Sequence, residues 1–189
     1  MKIVLASTNA HKLEELAALL EGHDVELGPK LEVEETGVTF AENALLKAKA
    51  FLAATGKPAL ADDSGLAVAA LGGRPGVYSA RYAPTDAERI AKLLGELDGV
   101  ADRAAAFVCA MALALPDGRV IAVEGRCEGL ITDGPRGQGG FGYDPIFLVP
   151  GLGRTFAELT AEEKNRISHR ALATEALKSQ LLKLAPGLQ

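Results

Sequence analysis

The chain has 189 residues, 48% of them hydrophobic and 24% charged, with a formal net charge of −5 at pH 7. That length suits one domain, or one domain with two lobes, and the composition excludes a disordered or fibrous chain. The acidic balance argues against a protein that grips a nucleic-acid backbone, which needs a basic face, while leaving room for a local basic pocket.

Lys2 to Ala6 reads as a buried first strand, too short an apolar run for the core of a signal peptide. Leu13, Leu16, Ala17 and Leu20 then recur at helical spacing, with Asn9 as the N-cap. Val25 to Leu27 suits a short strand before the acidic stretch "LEVEETGVTF". Thr39 and Glu42 form a capping box for a second helix with Ala41, Ala44, Leu45, Ala48 and Leu52 as its apolar face, and Gly56 and Pro58 stop it. "ALADDSGLAVAAL" predicts a strand ending at Asp62 and Asp63, a break at Ser64-Gly65, and more apolar chain, while "GGRPGVYS" predicts a loop.

A third helix is predicted from Asp86 to Leu97, with Ile90, Leu93, Leu94 and Leu97 on one side. "RAAAFVCAMALAL", a Pro116-Asp117-Gly118 turn and "RVIAVEGRCEGLI" predict a long antiparallel hairpin. A Gly-rich loop follows, then a short strand from Ile146 to Val149. A helix from about Ser168 to Leu184 closes the chain, with Ala173, Ala176, Leu177, Leu181 and Leu184 on its inner face. The mix is α/β. The longest apolar run, Ala104 to Leu115, falls short of the roughly 18 residues a membrane span needs. Cys109 and Cys127 lack metal-ligand spacing and read as buried free thiols in a reducing compartment, so a soluble cytoplasmic protein is expected.

Four stretches are candidates for chemistry. In "LASTNAHKLEEL" a strand gives way to small polar residues and a helix start, whose backbone N–H groups, Ser7, Asn9 and Lys12 suit an anion, or form an ordinary N-cap beside a surface lysine. Asp62 and Asp63, with "EETG" upstream, suit Mg²⁺, which takes one or two carboxylates plus substrate phosphates; the plainer alternative is a solvated acidic turn. A carboxylate there is also placed to deprotonate a water. In "GPRGQGGFGYDP", Gly137, Gly139 and Gly142 match G-x-G-x-x-G, but Pro145 disfavours the helix a dinucleotide turn must open. The glycines instead bring backbone close to a ligand, with Phe141 or Tyr143 as a stacking face for a base. In "EEKNRISHRALA", Lys164, Arg166, His169 and Arg170 set positive charge against a helix N-terminus, as an anionic ligand would favour and as a solvated basic face also permits. The P-loop, H-E-x-x-H and G-x-S-x-G signatures are absent from the sequence.

Together, Ser7-x-Asn9-x-x-Lys12, "EETG" with "TFAENALLKA", "ADDSGL" with "LGGRPGVYSARYA", "GGFGYDPIF" and "EKNRISHR" resemble the inosine/xanthosine triphosphate pyrophosphatase family, in its order and over nearly the whole chain. The resemblance implies a single domain over 1–189: an elongated mixed sheet flanked by helices, with two lobes around a central nucleotide cleft, in a homodimer. It implies Mg²⁺-dependent hydrolysis of ITP, dITP and XTP to the monophosphate and pyrophosphate. Carried over by residue, Ser7, Thr8, Asn9, Ala10, His11 and Lys12 hold the triphosphate, Asp63 is the catalytic base and a metal residue, and Ser64 contacts substrate. Phe141, Gly142, Tyr143 and Asp144 frame the base, and Lys164, His169 and Arg170 contact the nucleotide. The second metal residue falls in "EETG", at Glu35 in preference to Glu34. Two rivals stand beside this reading: a nucleotide sensor that binds without cutting, and a related enzyme for standard pyrimidine triphosphates.

Overall fold

The computed structural model describes residues 1–184, except for the side chains of His11 and Leu184. In chain order the elements are β1 (Lys2–Leu5), α1 (Ala10–Leu19), β2 (Asp24–Leu27), α2 (Phe40–Thr55), β3 (Ala59–Val68), α3 (Asp86–Glu96), β4 (Ala104–Ala114), β5 (Val120–Ile131), β6 (Phe147–Val149), β7 (Arg154–Thr155), α4 (Ala161–Ile167) and α5 (His169–Leu184), with short 3₁₀ turns between some of them. Seven strands hydrogen-bond in the order β2-β1-β3-β4-β5-β6-β7. The sheet is mixed: β1 runs parallel to β2 and β3, whereas β6 runs antiparallel to β5 and β7. Among the described residues, no helix is long and apolar enough to cross a membrane.

The described residues form two compact units, one of residues 1–63, 109–125 and 169–184 and one of 64–108 and 126–168. In the first unit the strands alternate strictly. Ile3, Leu5, Leu60, Cys109, Met111 and Leu113 face one side, where Leu16 of α1, Leu20 just after it, and Ala173 and Leu177 of α5 cover them. Val4, Ala6, Ala59, Ala61, Ala110, Ala112 and Ala114 face the other, under Ala44, Ala48 and Phe51 of α2. Alanine meeting alanine on that side brings the helix backbone close to the strands. Helices on both faces explain why "FVCAMALAL" in β4 is apolar without a break.

In the second unit, Leu66, Val68, Phe107, Cys127 and Ile131 pack with Ile90 and Leu93 of α3 and its C-cap Leu97. The rings of Phe107, Phe147 and Phe156 form the centre, with centroids 4.6 to 5.6 Å apart.

The expected capping box at Thr39–Glu42 is present, and Thr85–Glu88, Thr155–Glu158 and Thr160–Glu163 are capping boxes as well. Four expectations are corrected. The Ser64-Gly65 break does not occur: β3 runs unbroken through both residues, so Asp62 and Asp63 sit inside a strand and not at its end. Gly65 permits this, since a Cβ there would lie 2.4 Å from Ser79 Oγ and 2.6 Å from the Gly76 carbonyl oxygen. The basic stretch is split, because Lys164 and Arg166 lie in the separate helix α4 and Ser168 turns extended before α5 begins. The buried face of α2 is rotated from the expected one, with Ala41 exposed and Asn43 and Phe51 buried. On the face expected for α1, Ala17 is exposed, while Leu16 and Leu20, the latter just past the helix end, are fully covered. Both cysteines are free and buried, as expected.

Candidate active site

The first unit gathers charge around the middle of β3. Because side chains alternate along a strand, Asp62 falls on the side of Leu60, towards α1 and α5, and Asp63 on the side of Ala61, towards α2. Asp62 is 1% exposed. The Lys12 ammonium lies 3.0 and 2.9 Å from its two oxygens, and an Arg170 N–H donates to Oδ2 at 3.3 Å. Arg170 is itself buried and also pairs with Glu15. Burial alone would raise the Asp62 carboxyl, but the charges of Lys12, Arg170 and Lys47 outweigh it and hold the group well below the usual carboxylate range.

On the other side, Asn43 Nδ2 donates to Asp63 Oδ2 at 3.1 Å, and Lys47 Nζ lies 3.7 Å from Oδ1. Lys47 also donates to the Asp62 carbonyl at 2.7 Å and pairs with Glu35 at 2.8 Å. Here burial wins: the Asp63 carboxyl is raised, with Lys47 and Asn43 opposing and Glu35 adding to the rise. Two neighbouring aspartates are thus driven apart, one fixed as an anion by lysine and arginine, the other left more basic and able to take a proton. Of the two "EETG" glutamates, Glu35 reaches Lys47 and Glu34 is exposed.

Lys12 owes its position to the start of α1, where Asn9 Oδ1 accepts the Lys12 N–H at 3.4 Å and Ser7 Oγ accepts the Asn9 N–H at 3.0 Å. Ser7 is half-buried; Thr8 and Ala10 are exposed. The His11 side chain lies outside the described residues. His169 is buried in the first unit with Arg170.

The second unit holds the Gly-rich loop. Asp144 Oδ2 accepts the Phe141 N–H at 2.9 Å and pairs with Lys164 Nζ at 2.7 Å, both side chains being buried. The Lys164 ammonium also lies 4.8 Å from the Phe141 ring centre, a cation–π contact. Asp86 Oδ2, at the start of α3, accepts the Gly142 N–H at 2.8 Å. Of the two rings expected as stacking faces, Tyr143 is buried, and its hydroxyl donates to the Ser79 carbonyl at 3.0 Å. Phe141 is half-buried and borders a cavity of about 530 Å³ shared with Asp86, Ile90, Leu94 and Pro145. Ser64 is half-buried, and Arg166 is exposed and pairs with Glu162.

Sequence reading assigned no role to Asn43, Lys47 or Asp86. A signal existed for the first two: Asn43 and Lys47 are four residues apart on one helix face, beside the buried Ala44 and Ala48. Two polar residues in register with an apolar stripe mark a helix that looks onto charge as well as core.

The model of the Ham1 family matches residues 3–180. The chain belongs to the Ham1 family. Relatives include the dITP/XTP pyrophosphatases of Prochlorococcus marinus, 55% identical over 97% of this chain and 94% of that protein, and of Geobacillus kaustophilus, 52% identical over 98% and 97%. Among solved structures, the Ham1 protein of Staphylococcus aureus superimposes with a TM-score of 0.89 at 45% identity, covering 97% of this chain and 99% of that one. The HAM1 protein of Coxiella burnetii gives the same TM-score at 48% identity and the same coverage. The mixed α/β sheet described above is the Ham1 fold.

Proposed function

We infer that this Ham1-family protein is a nucleoside-triphosphate pyrophosphatase that hydrolyses dITP, XTP and ITP to the monophosphate and pyrophosphate, removing them from the nucleotide pool. The observation that carries the reading is the division of labour between Asp62, neutralised by Lys12 and Arg170, and Asp63, raised by burial beside Lys47 and Glu35. Relatives at 50–58% identity that are dITP/XTP pyrophosphatases support it.

In this reading the start of α1, from Ser7 to Lys12, grips the phosphates with backbone N–H groups, hydroxyls and one full charge. Asp63 accepts a proton from water as the water oxygen attacks the α-phosphorus; the bond to the bridging oxygen breaks, and pyrophosphate leaves. Ser64 touches substrate beside it. Phe141 offers a face to the base, Gly142 to Asp144 shape the loop around it, and Lys164, His169 and Arg170 complete the nucleotide contacts that the resemblance implies.

Mg²⁺ is the proposed cofactor, and the residues fit it. Glu35 and Asp63 both lie within reach of one cation, the Lys47 ammonium, at 2.8 and 3.7 Å. Among the described residues no group of three or more His, Cys, Asp or Glu side chains could hold a metal alone, which suits an ion that takes one or two carboxylates and fills its shell with water and substrate oxygens. When bound, it supplies charge neutralisation at the phosphate oxygens. The homodimer and the cytoplasmic location belong to this proposal through the family resemblance, and light scattering tests the former.

The deciding experiment measures pyrophosphate release from dITP, XTP, ITP, GTP, ATP and TTP, with and without Mg²⁺. Release from the first three supports the proposal. Tight binding without release points to a sensor, and a preference for TTP to a pyrimidine enzyme; either overturns it.

A further inference from the structure

Asn43 is a buried polar side chain on a largely apolar helix face. It is 1% exposed, on the face of α2 that otherwise presents Ala44, Ala48 and Phe51. A buried amide is costly unless its polar atoms are bonded, and here both sides of the amide are used. Nδ2 donates to Asp63 Oδ2 at 3.1 Å, while Oδ1 accepts the backbone N–H of Gly37 at 2.8 Å. The orientation of the amide follows from its partners, since the Gly37 N–H can only donate and so must face the oxygen. Gly37 is built for this contact: a Cβ there would lie 2.6 Å from Asn43 Oδ1 and 2.6 Å from Glu42 Cβ.

Gly37 follows Glu35 by two residues, so the same amide that orients Asp63 also ties down the segment carrying Glu35. One turn along α2, Lys47 spans the same two carboxylates. We propose that Asn43 is a positioning residue that clamps Asp63 and the Glu35 segment into one arrangement before substrate binds. Its amide offers a donor and an acceptor at once, one to each partner, whereas an ionised aspartate only accepts. The bond from Nδ2 to Oδ2 restrains rotation of the carboxylate, with Oδ1 on the side of Lys47. A misplacement of about 1 Å at a reacting group costs about 10²-fold in rate. This inference rests on the function proposed above, in which Asp63 takes the proton of the attacking water.

The test compares Asn43→Asp with Asn43→Ala in the full chain. Asn43→Asp keeps an acceptor for Gly37 but exchanges the donor to Asp63 for a like charge, whereas Asn43→Ala removes both bonds. Two readouts are taken: steady-state kinetics of pyrophosphate release from dITP at saturating Mg²⁺, and amide hydrogen exchange at Gly37 by NMR in metal-free protein. The expected result for Asn43→Asp is a fall in kcat of about 10²-fold with KM within about threefold of the parent, and a Gly37 amide still protected. Asn43→Ala should lose comparable kcat and also the Gly37 protection. If Asn43→Asp fails to fold, the Asn43→Ala pair of readouts decides alone. A folded variant whose kcat stays within about threefold of the parent overturns the clamp, as does a loss confined to KM, which marks substrate binding instead. A parent protein inactive on dITP overturns the proposed function itself, so the two failures are told apart by the parent alone.

Discussion

Asp62 and Asp63 are adjacent in sequence and face opposite sides of the same strand, Asp62 towards Lys12 and Arg170, Asp63 towards Asn43 and Lys47. Neighbouring carboxylates would repel across a tight turn; across the pleat of a strand each meets its own cations. Their substitutions should therefore fail in different ways. Asp63→Asn should lower kcat by about 10²–10⁴-fold, the usual worth of a general base, and leave the melting temperature nearly unchanged. Burial already disfavours the Asp63 charge, so its removal costs the fold little. Asp62→Asn should instead destabilise by about 3–5 kcal/mol, because Arg170 and Lys12 keep their charges beside a buried neutral amide. Thermal melts and kinetics of the two variants, measured side by side, check this; a stable, inactive Asp62→Asn would contradict it.

Arg170→Ala follows the same logic from the other end. The guanidinium is buried between Asp62 and Glu15, so truncation strands Asp62 with half its compensation. A loss of about 3–5 kcal/mol in urea unfolding is expected. An unchanged midpoint would mean that the ion pairs add nothing to the fold.

Lys12→Ala should raise KM for dITP by roughly tenfold to a hundredfold, the value of one charge-assisted phosphate contact. A surface lysine such as Lys57, half exposed and paired with Glu26, serves as the control and should leave KM alone. Equal kinetics for the two variants would return Lys12 to a structural part in holding Asp62.

Selectivity should follow the base edge. Hypoxanthine and xanthine present an acceptor at C6 and a donor at N1, and adenine presents the reverse pattern. A loop N–H other than those of Phe141 and Gly142, which Asp144 and Asp86 already accept, would be unpaired against ATP if it donates to O6, which can cost about 10⁴-fold in kcat/KM. The expected order is ITP or XTP, then GTP, then ATP. Phe141→Ala should weaken all of them together, by the roughly 1–3 kcal/mol that one aromatic stack provides. Equal turnover of ATP and ITP would disprove the base-reading loop.

Both thiols should be inert in the native protein. Burial pushes Cys109 up to about 12 and Cys127 to about 11, so neither forms appreciable thiolate at neutral pH. A disulfide-exchange reagent at pH 8 should label both only after denaturation. Because the folded thiols hold their protons above the ordinary value of 9.0, the unfolded chain releases protons first, and stability should fall as pH climbs from about 9 towards 11. Rapid labelling of the folded protein would show that one of the thiols is open to solvent.

Much of this was legible in local sequence. Thr39 with Glu42 announced α2, and "RAAAFVCAMALAL" announced a long strand of the hairpin, because capping and apolar patterning are decided within a few residues. Lys12, Asp63 and Phe141 stood out for their chemistry and their family resemblance. Three things only the tertiary structure decided. Whether β3 stops at Ser64-Gly65 depended on Ser79 and Gly76, which pack against Gly65 from a distant segment. Which side of α2 is buried depended on Val4 of β1 and the alanines of β3 and β4, and that rotation turned Asn43 inward. The contrasting environments of Asp62 and Asp63 arise from Lys12, Lys47 and Arg170, drawn from three helices far apart in the chain. A carboxyl's identity is written in the sequence, but its basicity is set by burial and by the charges that folding brings to within 4 Å or so of it.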